Sequence, residues 1–229
     1  MKNFSKQCVF CSSKELYKVS STQYKCKICK KKFSIKKLEK EYSILESFLN
    51  GQSAIEAKNT LHVNYKTLSH KYMDFRKLIT MYLEESYEQS TNRFSEYDEY
   101  YYLPKNKRGR VKYLFEAVGI LGLIYEEKVY TLLLPDQFSH LEDKMTNKQT
   151  NLAYMKEYSK YLNRYKIVHY TKFDNLLVHF WVFLESSLDK YKGVSREYFI
   201  YYLKECEFKF NFKKNEQKEI LWKLWLNNL

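Results

Sequence analysis

The sequence predicts an α+β protein in three parts: a small cysteine-held ribbon, a three-helix helix-turn-helix module, and a larger domain that opens as a three-stranded antiparallel meander and continues as helices. Three observations lead there. Two Cys-x-x-Cys pairs, Cys8/Cys11 and Cys26/Cys29, stand fourteen residues apart. Apolar residues then recur at helical intervals between Glu41 and Leu78, with capping residues between the runs. From Ser95 the pattern shifts toward an extended period. The expected boundaries are 1–37 for the ribbon with its basic extension, 38–85 for the helical module and 92–229 for the remainder.

Each cysteine pair can place two thiolates at a corner of a tetrahedron, and four thiolates close the shell of a Zn²⁺ ion with no position left for substrate. The expected metal is therefore structural zinc on Cys8, Cys11, Cys26 and Cys29. Two disulfides are the alternative, but a lysine-rich start without a secretory signal, and only five cysteines, fit a cytoplasmic chain whose thiols stay reduced. Between the pairs, Leu16–Val19 and Gln23–Lys25 read as the arms of a hairpin turning at Ser20–Thr22. A ribbon of this size folds around its metal. The fifth cysteine, Cys206, lies among Phe208, Phe210 and Phe212 and reads as a small buried hydrophobe.

The chain of 229 residues has enough apolar side chains for a real core, and its net charge of +13 points to a polyanionic partner. The charge is uneven: residues 1–77 hold 17 Lys and Arg against 6 Asp and Glu, a net of +11. The polyanion-binding surface is expected there. No apolar run reaches the length of a membrane helix. Abundant Tyr, Phe, Lys and Asn fit the codon bias of an AT-rich genome, which weakens any inference from a single tyrosine or lysine.

Directly after the ribbon, Lys30-Lys31-Lys32-Phe33-Ser34-Ile35-Lys36-Lys37 sets cations on either side of two apolar anchors. Lys31, Lys32, Lys36 and Lys37 suit phosphate contacts, which position a protein on DNA without reading its sequence; a solvated linker is the alternative. A first helix follows from Glu41 through Tyr42, Leu45, Phe48 and Leu49, stopping at Asn50-Gly51. Ser53-Ala54-Ile55-Glu56 is a capping box for a second helix to about Leu61. Asn64 can cap a third, with Leu68, Tyr72, Phe75 and Leu78 on its apolar face. In a helix-turn-helix the early residues of the last helix enter the major groove, so Tyr65, Lys66, Thr67, Ser69 and His70 are the candidate readers. A three-helix packing unit with a basic surface remains the alternative. His62 and His70 are not needed as metal ligands, because four cysteines already satisfy zinc.

Glu84–Asn92 reads as a linker or as the tail of the third helix. Ser95–Leu103, Tyr113–Leu121 and Lys128–Leu134 are the expected strands, with a basic turn at Lys105–Gly109. A helix carrying Leu152, Met155, Tyr158, Tyr161 and Leu162 follows, then an extended piece Lys166–Tyr170. Leu176 to about Tyr191 is a strongly apolar helix ended by Gly193, and Ser195 can cap another from Arg196 to about Cys206. Trp222, Leu224 and Trp225 close the chain as a core-capping segment.

Three places resemble insertion-sequence transposases that carry an N-terminal zinc ribbon and helix-turn-helix before a DDE-type, RNase H-like domain. Asp98-Glu99-Tyr100 before Arg108-Gly109 is similar to the family's first-strand Asp-Glu-Tyr motif. Asn175 preceding Phe180-Trp181 is similar to its final catalytic helix. Lys192-Gly193-Val194, Leu203-Lys204-Glu205 and Phe208-Lys209-Phe210-Asn211 are similar to its C-terminal Lys-Gly-Val, Leu-x-Glu and Phe-Arg-x-Asn blocks. The resemblance implies an RNase H-like core over 92–229, double-stranded DNA ends as partner, a homodimer on paired ends, no membrane, a bacterial nucleoid location, and Mg²⁺ bound by Asp98 for cleavage and strand transfer. Asn175 and Glu185 are the further catalytic candidates. The chain departs from the family pattern at Val178 and Glu185, and Asp136 and Asp143 are candidates for the second aspartate, without the strand-Asp-Gly context of the family. Two readings follow: a transposase with variant ligands, or a non-catalytic DNA-binding regulator that keeps the N-terminal modules.

Overall fold

The structure is a computed structural model that describes residues 7–90, 94–108, 113, 116–135, 155–161, 163, 174–191 and 194–228. It is α+β. Its strands are β1 (Leu16–Lys18), β2 (Gln23–Cys26), β3 (Lys32–Ser34), β4 (Glu96–Tyr102), β5 (Val118–Tyr125) and β6 (Lys128–Leu133). Its helices are α1 (Ile35–Leu49), α2 (Ala54–Leu61), α3 (Tyr65–Glu88), α4 (155–161), α5 (Leu176–Leu188), α6 (Phe199–Asn211) and α7 (Lys214–Asn227). The strands form two antiparallel three-stranded sheets, β1-β2-β3 and β4-β5-β6. Two compact units result, Met1–Ile79 with Phe212–Leu229, and Thr80–Asn211.

The first unit begins with β1-β2-β3, in which Leu16 pairs with Cys26 and Tyr24 with Phe33. The hairpin expected from the sequence therefore gains a third strand from the lysine run. α1 follows without a linker because the Ser34 side chain accepts the Lys37 amide at 3.4 Å. The helix thus starts six residues before the expected Glu41, and the expected boundary between 37 and 38 falls inside it. Consecutive lysines read as a linker by composition, yet lysine is a good helix former once a cap precedes it.

The expected capping box opens α2: Ser53 Oγ accepts the Glu56 amide at 3.2 Å and Glu56 Oε2 accepts the Ser53 amide at 2.7 Å. His62, at φ 53°, ends α2 in the left-handed region, and Asn64 Oδ1 accepts the Lys66 amide at 2.8 Å to start α3. α3 runs to Glu88, so residues 84–88 are its tail rather than a linker. Phe48 packs α1 against α3, 5.2 Å from Tyr72 and 5.4 Å from Phe75 between ring centres, with the Arg76 guanidinium 5.5 Å above its ring.

α7 is the fourth helix of this unit. Trp225 meets Phe75 at 4.8 Å, Trp222 meets Tyr42 at 5.1 Å, and Lys218 pairs with Glu46 at 2.7 Å. The expectation that 92–229 form one domain is corrected here, since residues 212–229 complete the core of the N-terminal unit. Both tryptophans were legible as core-capping; which core they cap was not.

In the second unit β5 pairs with β4 and β6, with Asp98 opposite Gly122 and Gly122 opposite Thr131. The middle strand is Val118–Tyr125 rather than the expected Tyr113–Leu121. Its turn to β6 uses Glu126 and Glu127, both at positive φ (46° and 60°). That is the backbone a two-residue hairpin demands, built without the glycine or asparagine that marks it in sequence. α5 covers the sheet through Leu177, Phe180, Trp181 and Leu184, which share a core with Tyr100, Ile120, Ile124 and Val129. Cys206 is buried in that core, as expected of a small hydrophobe. The outer edge of β6 is closed by side chains of α6. Asn211 bonds both the amide and the carbonyl of Val129 at 2.9 and 2.6 Å, and Glu207 Oε2 accepts the Thr131 amide at 2.9 Å. The expected extended piece Lys166–Tyr170, Leu152, Leu162 and Gly193 lie outside the described residues.

Candidate metal centre and nucleic-acid face

The two cysteine pairs sit on one repeated turn. Cys8 N–H donates to Ser13 O at 2.8 Å and Cys26 N–H to Lys31 O at 3.1 Å, each bond spanning five residues. Ser12 and Lys30, the residues after the second cysteine of each pair, are both left-handed, at φ 59° and 61°. The repeat turns the sulfurs inward. Cys8 and Cys29 Sγ are 3.6 Å apart, as are Cys11 and Cys26 Sγ, and all four lie within 4.8 Å of one another. A disulfide needs about 2.05 Å. Four sulfurs at about 2.3 Å from a central zinc stand about 3.8 Å apart. The donor set and spacing therefore fit a four-coordinate metal such as zinc, and no disulfide joins any of the five cysteines.

The thiols are unequal. Burial pushes Cys8 up to about 12. Burial acts on Cys26 in the same direction, but the amides of Cys29 and Ile28 and the Cys11 and Cys29 thiols outweigh it and bring Cys26 down to about 6. The Ile28 amide lies 3.4 Å from Cys26 Sγ. Such amide donors hold a metal-bound thiolate in place.

Lys31, Lys32, Lys36 and Lys37 are exposed, and none has an acidic partner among the described residues. Lys31 Nζ rests 4.3 Å above the Phe10 ring. At the start of α3, Tyr65, Lys66, Thr67 and His70 are exposed and Ser69 is half-buried, while Leu68 and Tyr72 are fully or nearly fully buried. All five expected readers thus remain off the core. The four lysines and these five residues belong to the same unit.

Asp98, Asn175 and Glu185 lie along one face where β4 runs beside α5, and each is engaged. Asn175 caps α5, its Oδ1 accepting the Val178 amide at 2.8 Å while its Nδ2 donates to Glu96 Oε2 at 3.3 Å. Asp98 Oδ2 accepts the Trp181 indole N–H at 3.1 Å. Glu185 is buried, accepting the Tyr100 hydroxyl and pairing with Arg108 at 2.8 Å. Tyr100 stacks on Trp181 at 4.9 Å, 12° from parallel. Burial first, then the Glu185 charge and hydrogen bond, push the Tyr100 hydroxyl well above the ordinary tyrosine value.

Among the described residues the four cysteines are the only group of three or more His, Cys, Asp or Glu side chains able to share a metal ion. No acidic cluster gathers at Asp98 among them; Asp136 and Asp143 lie outside the described residues. Asn175 enters the candidate set by its motif, and an asparagine directly before an apolar helix is also the signal of a helix cap. The Arg108–Glu185–Tyr100 set has no local signal, because its members are distant in sequence. Comparisons of the chain with protein-family models, with curated proteins and with solved structures return no match.

Proposed function

We propose that this protein binds duplex DNA through a zinc ribbon and a helix-turn-helix, on the plan of an insertion-sequence transposase, with an RNase H-like second unit retained for assembly. The observation that carries the reading is the joint placement of the unpaired lysines and the exposed opening of α3 in one unit. A closed four-thiolate site fixes the ribbon and leaves the metal no chemistry of its own. Lys31, Lys32, Lys36 and Lys37 neutralise phosphates, and Tyr65, Lys66, Thr67, Ser69 and His70 meet base edges. Binding to a duplex carrying the element's terminal repeats is then steeply salt-dependent. Lys31→Ala with Lys32→Ala weakens every duplex alike, whereas Lys66→Ala or Thr67→Ala erodes the preference for the cognate end. Equal binding by these variants at all salt concentrations rejects the reading.

A second reading adds Mg²⁺-dependent strand cleavage and transfer by a homodimer on paired ends, and the half-buried Asp98 in the middle of β4 favours it. Asp98 would hold the metal, whose chemistry is to generate and stabilise the charged oxygens of the displacement. Asn175 and Glu185 fit this role poorly, since one caps α5 and the other is tied to Arg108. The test is cleavage of end DNA in Mg²⁺ or Mn²⁺: Asp98→Asn abolishes it with DNA binding intact. An inactive unmodified protein that binds its end DNA leaves the regulator reading.

A further inference from the structure

A cavity of about 290 Å³ opens between the first cysteine turn, the β2–β3 pair and the beginning of α1. We propose that it takes one unpaired nucleotide of a DNA strand, so that the metal-bearing sheet binds single-stranded DNA as well as duplex. The proposal rests on the DNA-binding reading above and deepens it. The cavity has two chemistries. Phe33 and Leu38 back an apolar wall and are themselves nearly buried, the half-buried Phe10 is its exposed part, and Lys32 and Lys37 line the opening beside Gln23 and Ser34, with no acidic side chain among the described lining residues.

The wall is fixed by its own ring contacts. Phe33 meets Phe10 edge-on at 6.2 Å and stacks on Tyr24 at 6.2 Å, while Lys31 lies over Phe10 at 4.3 Å. A phosphate alone would neutralise the lysines but leave the half-exposed Phe10 ring wet. A purely apolar ligand would cover the wall and leave two cations without counter-charge. A nucleotide offers a flat apolar base and an anionic phosphate together, which is the combination of aromatic platform and basic groove used on single strands. In a B-form duplex the bases are stacked and paired, so only sugar and phosphate can approach such a cavity. The occupant is therefore an unpaired nucleotide, as at a frayed or processed DNA end.

The test uses the full-length zinc-loaded protein and fluorescence anisotropy with two probes, a short oligothymidylate and a blunt duplex of equal length. Phe10→Leu keeps an apolar side chain against Phe33 but removes the stacking face; it is expected to weaken oligothymidylate binding by about 5- to 150-fold, the range for losing one stacked base. Gln23→Glu places a carboxylate at the rim of the cavity and is expected to weaken it as well. Duplex binding is expected to fall by less than oligothymidylate binding in each variant, because a duplex meets the cavity only through phosphates at Lys32 and Lys37. Zinc content controls for folding, and if Phe10→Leu loses metal, Gln23→Glu decides. Duplex binding without oligothymidylate binding, single-strand affinity unchanged in the folded variants, or equal loss of both probes in Gln23→Glu overturns the proposal while leaving duplex recognition in place. Failure of both probes to bind the unmodified protein instead rejects the DNA-binding reading itself.

Discussion

The Trp181 indole N–H donates to Asp98 Oδ2 at 3.1 Å, across a gap kept open by Gly122, the residue opposite Asp98 on β5. A Cβ at Gly122 would lie 2.8 Å from the indole ring and 2.9 Å from Leu177 Cδ2. No side chain survives that contact without movement, and the indole is fully buried. Glycine here serves a close approach of helix to sheet rather than a turn. Gly122→Ala is expected to destabilise the protein by about 1–3 kcal/mol, the usual cost of overpacking. Urea denaturation followed by tryptophan fluorescence checks it, and unchanged stability would mean that the helix can lift off the sheet freely.

The metal centre makes a separate prediction. Cys26→Ser removes one of four converging sulfurs and is expected to lose stoichiometric zinc and the folded β1-β2-β3 sheet, because so small a sheet has little apolar area to fold on. Metal analysis and amide NMR dispersion of the purified protein read both. Retained zinc in Cys26→Ser would refute the four-cysteine site.

Deleting residues 212–229 is expected to abolish DNA binding although every proposed contact lies before residue 71. α7 supplies Trp222 and Trp225 to the aromatic core of the first unit. Trp225→Ala alone should cost about 3–5 kcal/mol, as large-to-small core substitutions do. Circular dichroism and duplex binding of the truncated chain test this; a fragment ending at residue 85 that binds at full affinity would contradict it.

Glu207 predicts a pH dependence. Burial pushes its carboxyl above the ordinary glutamate value of 4.5, with Lys204 and Thr131 pulling the other way. Lys204 faces it at 3.1 Å and also pairs with Glu84 at 3.0 Å, and the Tyr130 ring lies 3.8 Å from Lys204 Nζ. The folded chain therefore keeps the Glu207 proton to higher pH than the unfolded chain does. This group is least costly below pH 4.5, and stability falls as pH rises through its folded value. Glu207→Gln is expected to flatten that decline, measured as denaturation midpoints across the pH range. An identical slope in the variant would show that Glu207 is charged in both states.

The α+β class, the two cysteine turns, the capping box at Ser53, the Asn64 cap and the burial of Cys206 were all legible in the chain, and each rests on neighbours within a few residues. The same holds for Tyr65, Lys66, Thr67 and His70, whose exposure follows from helical spacing around Leu68 and Tyr72. Where a boundary was misread, a local signal was missing or disguised. The β5–β6 turn uses two glutamates at positive φ, and α1 begins inside the basic run that the sequence places with the ribbon.

Sequence by itself determined the elements that are closed by short-range hydrogen bonds and by side-chain periodicity. Tertiary structure decided which surfaces those elements meet. It placed Trp222 and Trp225 in the core that begins at Tyr42, engaged Glu185 with Arg108 and Tyr100, and made Asn211 and Glu207 stand in for a missing strand beside β6. Those partners are separated by about 75 to 180 residues, and their pairing depends on the volume and charge left unfilled by the rest of the fold, which no local pattern encodes.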